Sequence, residues 1–253
     1  MNTFLDLFLL ASALFIGSFL TATALCWPDW AAVLRPRSGC GNCGRTLRMQ
    51  EQIPVVSYVF QRGRCAACAS PIWPGHPIGE LAALLIVVAA VLVTDGPATL
   101  VASLLGFALL FGALVDARTH LLPDVVTLGL IPAGLAWAWF SHGTPGLLDS
   151  SLGAILGFSV LFLIGWLYRQ LRGREGLGMG DSKLLAAGGA WCGALALPWI
   201  VAIGAGATLV FVAALALSGR KITGDLALPF GPGLAFGVFA AHLLVQPVFA
   251  TGY

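Results

Sequence analysis

The chain has 253 residues, of which 58% are hydrophobic and only 9% charged, and its mean hydropathy is +0.92. A soluble domain carries about 25% charged residues, so the composition excludes a chain wetted on all sides and calls for a lipid bilayer. Thirteen Lys and Arg against eleven Asp and Glu leave a net charge of +2, which argues against a nucleic-acid partner.

A bilayer core of about 30 Å needs about 20 apolar residues per helix. Segments of this kind fall near 4–26, 78–94, 97–115, 125–140, 151–170, 184–197, 198–217 and 229–248. The expected fold is an all-α polytopic membrane protein of about eight transmembrane helices. The first segment reads as a true span rather than a cleaved signal, because MNTFLDLF carries only Asp6 and the apolar run is long. Three parts are expected: a first span over 1–26, a polar Cys-rich loop over 27–77, and a multi-span domain over 78–253.

The loop contains Cys40-Gly-Asn-Cys43 and Cys65-Ala-Ala-Cys68, separated by twenty-one residues. Two CxxC knuckles can bring four thiolates into tetrahedral reach of one Zn²⁺. A segment of about fifty residues cannot build an adequate apolar core, so a metal staple has a physical purpose. Two disulfides are the alternative, disfavoured in a reducing compartment. The loop is therefore expected to be a small zinc-ribbon-like domain with little regular helix and a closed, structural metal. Cys26 and Cys192 lie in apolar segments and read as packing residues.

Basic residues set the orientation. Arg35, Arg37, Arg45, Arg48, Arg62 and Arg64 lie in the first loop, and Arg118 follows the third span. Arg169, Arg172, Arg174 and Lys183 lie between spans five and six, and Arg220 and Lys221 between seven and eight. With eight spans these all fall on one face, which the positive-inside rule makes cytoplasmic.

Carboxylates in so apolar a chain are costly, at about 2.5–3.5 kcal/mol for one at a helix centre. Asp116 ends span three, and Asp181 opens span six within Gly178-Met-Gly180-Asp181-Ser-Lys183. The topology puts both at the cytoplasmic edge at similar depth. Two close carboxylates can divide acid and base roles, one ionised and activating water, the other protonated and polarising a scissile carbonyl. Gly178 and Gly180 leave room for a substrate backbone. Simpler readings exist. Asp181 and Asp124 each precede an apolar helix and could be N-caps, whereas Asp116 at a helix C-terminus opposes the dipole. Glu80 in span two is either a buried strut or a site residue, and Asp225 lies in a polar connection. His76, His120, His142 and His242 form no HExxH, and there is no GxSxG. A proton- or cation-coupled transporter using Asp116, Asp124 and Asp181 is the rival reading.

At these residues the chain resembles the bacterial type IV prepilin peptidases, within the GxGD membrane aspartic proteases. The resemblance runs in order through Gly17-Ser-Phe-Leu20, the paired CxxC knuckles around Ile53-Pro54 and Arg62-Gly63-Arg64, and Pro77 and Glu80. It continues through Asp116…Leu122-Pro123-Asp124, Gly178-Met-Gly-Asp181-Ser-Lys183 and Leu228-Pro-Phe-Gly-Pro232. It implies cleavage of leader peptides from type IV prepilins or type II secretion pseudopilins at the cytoplasmic face of the bacterial inner membrane. It also implies methylation of the new N-terminus from S-adenosylmethionine, attributed to the Cys-bearing loop. The resemblance implies Asp116 and Asp181 as the catalytic pair; Asp124, Gly178, Gly180, Lys183 and Glu80 are candidates for supporting roles beside it. Thr21, Cys26-Trp27-Pro28 and Glu51-Gln52 depart from the family pattern in the region tied to methyl transfer.

Overall fold

A computed structural model describes residues 3–29, 39–141, 145–173, 178–218 and 229–245. Arg35, Arg37, His142, Arg174, Arg220, Lys221, Asp225 and Leu228 lie outside the described residues. The described residues form nine α-helices, with no strand. They are α1 (Thr3–Cys26), α2 (Val56–Phe60), α3 (Gly75–Val93), α4 (Pro97–Thr119), α5 (Asp124–Ser141), α6 (Leu147–Arg172), α7 (Met179–Cys192), α8 (Leu197–Leu217) and α9 (Gly231–Ala240). A π-helical turn, Ala241–Val245, continues α9.

Six of the helices are long and apolar enough to cross a membrane, namely α1, α3, α4, α5, α6 and α8 with its preceding turn. The other two expected spans coincide with shorter helices. One of them, α7, has 14 residues, about 21 Å at 1.5 Å per residue, and begins at Met179 rather than near 184. The chain divides into two compact units, Met1–Leu114 and Val115–Tyr253, with the boundary inside α4.

In the first unit α1 packs along α3. Gly17 makes this approach possible, since a Cβ there would lie 2.8 Å from Ala83 Cβ and from the Glu80 Cα. Thr21 is fully buried and its Oγ1 donates to the Gly17 carbonyl at 2.8 Å. Leu9, Ala13, Ala83, Val87 and Phe107 form the core beside it.

The second unit is built around α7, whose residues Ser182 and Leu184–Cys192 are all buried. It packs against α6, α5 and α9, and α9 packs against α8. Small residues permit the closest of these contacts, as is usual between helices in lipid. Gly157 of α6 faces α7 so closely that a Cβ would stand 2.6 Å from the Leu185 carbonyl oxygen, and Gly153 one turn earlier meets Gly189. Because protein surrounds α7, its polar backbone is satisfied without a bilayer-length helix. The chain leaves α7 at Gly193 (φ 81), not at Leu197-Pro198. The Ala194 amide there donates to Asp149 Oδ1 at 3.1 Å. Asp149 lies within the first turn of α6, not in the connection before it.

Candidate active site and metal centre

Asp116 is in the last turn of α4 and is 6% exposed; Asp181 is in the first turn of α7 and half-buried. The fold brings the two close enough to interact electrostatically. The third participant is the N-terminus of α9. The Gly231 amide hydrogen-bonds the Asp116 carboxylate, and a Cβ on Gly231 would stand 2.5 Å from Asp116 Oδ2. Pro232 follows in the first turn of α9, where its missing N–H costs nothing. A helix N-terminus carries partial positive charge, so α9 compensates at Asp116 what the C-terminus of α4 disfavours.

Leu122 fills the space among these elements. A Cβ on Gly180 would lie 2.9 Å from Leu122 Cβ, and one on Gly231 3.2 Å from Leu122 Cδ1. Gly178 faces the Asp181 carboxylate, with Oδ2 3.5 Å from a Cβ built there. Asp124 opens α5 and accepts a 2.6 Å bond from Lys183 Nζ, so the two motifs are clamped directly. His120, at φ 55 just past α4, interacts electrostatically with Asp116. Its spacing of four from Asp116 was the available signal. Leu122 and Gly231 stand within motifs of the resemblance, Leu122-Pro123-Asp124 and Leu228-Pro-Phe-Gly-Pro232, but the contacts they make exist only after α4, α7 and α9 meet. The remaining described histidines lie elsewhere: His76 opens α3, and buried His242 sits edge-on to Trp191 at 5.6 Å.

The four loop cysteines converge. Their Sγ atoms all lie within 4.8 Å of one another, with Cys40 and Cys68 at 3.8 Å. A disulfide requires about 2.05 Å, whereas tetrahedral thiolates around Zn²⁺, at about 2.3 Å each, stand about 3.8 Å apart. The donor set therefore fits a four-coordinate metal.

Each knuckle repeats one backbone pattern. Cys40 N donates to the Arg45 carbonyl and Gly44 N to the Cys40 carbonyl, both at 2.9 Å. Cys65 N donates to Ser70 and Ala69 N to Cys65, again at 2.9 Å. Isolated bridges, Gly39 with Thr46 and Arg64 with Pro71, close the two turns.

The electrostatics suit a metal. Amides of Cys43 and Asn42 and the Ser70 hydroxyl lower Cys40 to about 7, and Ser70 and Asn42 lower Cys68 to about 6. At Cys43 the Arg45 amide favours the thiolate, but desolvation and the neighbouring thiols push it up to about 11. A central dication would remove that conflict. Glu51 braces the loop, accepting from Arg48 N at 2.7 Å and Arg45 Nη2 at 2.6 Å. The Arg48 amide first, and then Arg45, hold its carboxyl below the usual range. Glu80, 5% exposed on α3, accepts the Val55 amide at 2.6 Å and so ties the loop to the span.

Fold and site together define a multi-pass membrane protein with a paired-carboxylate centre and a cluster of four cysteines whose geometry could hold a metal ion. Residues 11–94 match the bacterial peptidase A24 N-terminal domain, and residues 103–217 match the type IV leader peptidase family. The chain is 42% identical over 219 residues to a prepilin leader peptidase/N-methyltransferase of Burkholderia pseudomallei, covering 85% of this chain and 69% of that protein. It is 40% identical over 214 residues to one of Dickeya chrysanthemi, covering 83% and 71%. The figure is 39% over 209 residues for one of Aeromonas salmonicida, covering 82% and 71%. No solved structure matches the chain. The chain belongs to the type IV leader peptidase family.

Proposed function

We propose that the chain is an intramembrane aspartic endopeptidase that removes the leader peptide from type IV prepilins or type II secretion pseudopilins, with Asp116 and Asp181 as the catalytic pair. The observation that carries this reading is the meeting of two carboxylates from α4 and α7, one of them held by the Gly231 amide at the start of α9. The ionised member takes a proton from water as it attacks the scissile carbonyl. The protonated member donates to the carbonyl oxygen, and the amine leaves with a proton returned from the pair. Asp124 and Lys183 join the start of α5 to the first turns of α7, two residues beyond Asp181. The transporter reading receives no support from the family.

The active site opens at the cytoplasmic face of the bacterial inner membrane. Cys40, Cys43, Cys65 and Cys68 hold a structural Zn²⁺, which folds the loop and leaves no open position for water. The freed N-terminal amine is then methylated, with S-adenosylmethionine supplying the methyl group and leaving as the demethylated thioether. Purified protein incubated with a prepilin and S-adenosylmethionine tests both steps by mass spectrometry. Loss of the leader plus one methyl group is expected. Intact prepilin contradicts the peptidase, and an unmethylated product removes the second activity alone.

A further inference from the structure

The loop of the first unit exposes a patch that the chemistry of cleavage does not use. Val56, Val59 and Phe60 of α2 stand at helical spacings of three and four and so share a face. Their exposures are 46%, 66% and 84%, and in the preceding turn Met49 is 84% exposed and Ile53 45%. Arg48, Arg62 and Arg64 flank this apolar surface and are exposed. The acid within it, Glu51, is already engaged by Arg45. The patch is thus apolar with a basic border.

Its depth is set by Glu80. The Val55 amide, at the entry to α2, is bound to Glu80 Oε2 at 2.6 Å. Glu80 is the sixth residue of α3, about 7.5 Å along a membrane-spanning helix from its start. That bond tethers the entry of α2 beside the second turn of a helix long and apolar enough to span a membrane, a distance from the helix start comparable to the depth of about 5–10 Å at which interfacial helices bury their apolar faces.

We infer that α2 and the turn before it form an interfacial wedge. Val56, Val59 and Phe60 enter the acyl boundary of the leaflet that surrounds α3, and Arg48, Arg62 and Arg64 bind anionic lipid headgroups. The buried carboxylate of Glu80 is the strut that keeps the metal loop pressed to the membrane. This inference stands apart from the catalytic reading.

The test uses the full chain in nanodiscs of phosphatidylcholine, with or without phosphatidylglycerol. Amide exchange over residues 56–64 is expected to be slower with phosphatidylglycerol. Arg62→Gln with Arg64→Gln should erode that difference by about fivefold per arginine. In parallel, Phe60→Trp adds an indole that lipids brominated near the headgroup should quench beyond the wild-type signal. An unquenched indole, or exchange that is the same in both lipids and in detergent, overturns the wedge. Protection that appears only when a prepilin is added also overturns it, and assigns the patch to substrate.

Discussion

Ala69 and Gly44 occupy the same place in the two cysteine knuckles, and both have positive φ, 55 and 69 respectively. Glycine adopts that conformation freely, whereas an L side chain there costs about 1–2 kcal/mol. Ala69→Gly is therefore expected to strengthen the loop by about 1 kcal/mol, read as slower metal loss to a chelator; faster loss would contradict the strain. Cys40→Ser should release the metal and unfold the loop while leader cleavage survives, checked by elemental analysis beside a cleavage assay. Acid should act in the same direction. As proposed metal ligands, Cys40 and Cys68 would bind as thiolates, and both thiols are held low, at about 7 and 6, so loss of metal is expected as pH falls and not as it rises. Asp124 is a residue whose sequence context left capping and function equally open. Its partner Lys183 is now evident, and with the Asp124 side chain 62% exposed such a pair contributes little. Asp124→Asn should lower cleavage by less than about tenfold.

At the scale of elements, the contact between α6 and α7 depends on the absence of side chains. Gly157→Leu would drive a branched side chain into the Leu185 carbonyl, at a cost of about 1–3 kcal/mol. It should lower the unfolding temperature in detergent and weaken cleavage by displacing the start of α7; unchanged stability would mean that the helices are not packed this way. The long helices were legible in the sequence because bilayer thickness dictates the length of any apolar span that faces lipid. The ends of α7 were not, because a helix enclosed by other helices owes nothing to that thickness. The cysteine knuckles were legible because CxxC is a local device. Glu80 was recognisable as out of place in an apolar span, but its partner Val55 lies in a polar loop with no pattern to announce it. The approach of Gly231 to Asp116 was beyond reach for the same reason, since it joins the ends of two helices far apart in the chain.

For the molecule as a whole, the one-sided basic residues predict where each connection lies. Cysteine labelling in intact cells should find the 27–77 loop inside and the 141–150 connection outside; both on one side would contradict the topology. The central claim is that Asp116 and Asp181 act as one unit on a prepilin. A pair that shares a proton should give a bell-shaped dependence of cleavage on pH, falling in acid when both are protonated and in base when both are ionised. The most direct measurement is leader cleavage by purified wild-type protein, Asp116→Asn, Asp181→Asn and the double variant in lipid. Each single change is predicted to reduce the rate by about 10²–10⁴-fold, and the double change by no more than either alone. Cleavage at the wild-type rate by either single variant would contradict the account.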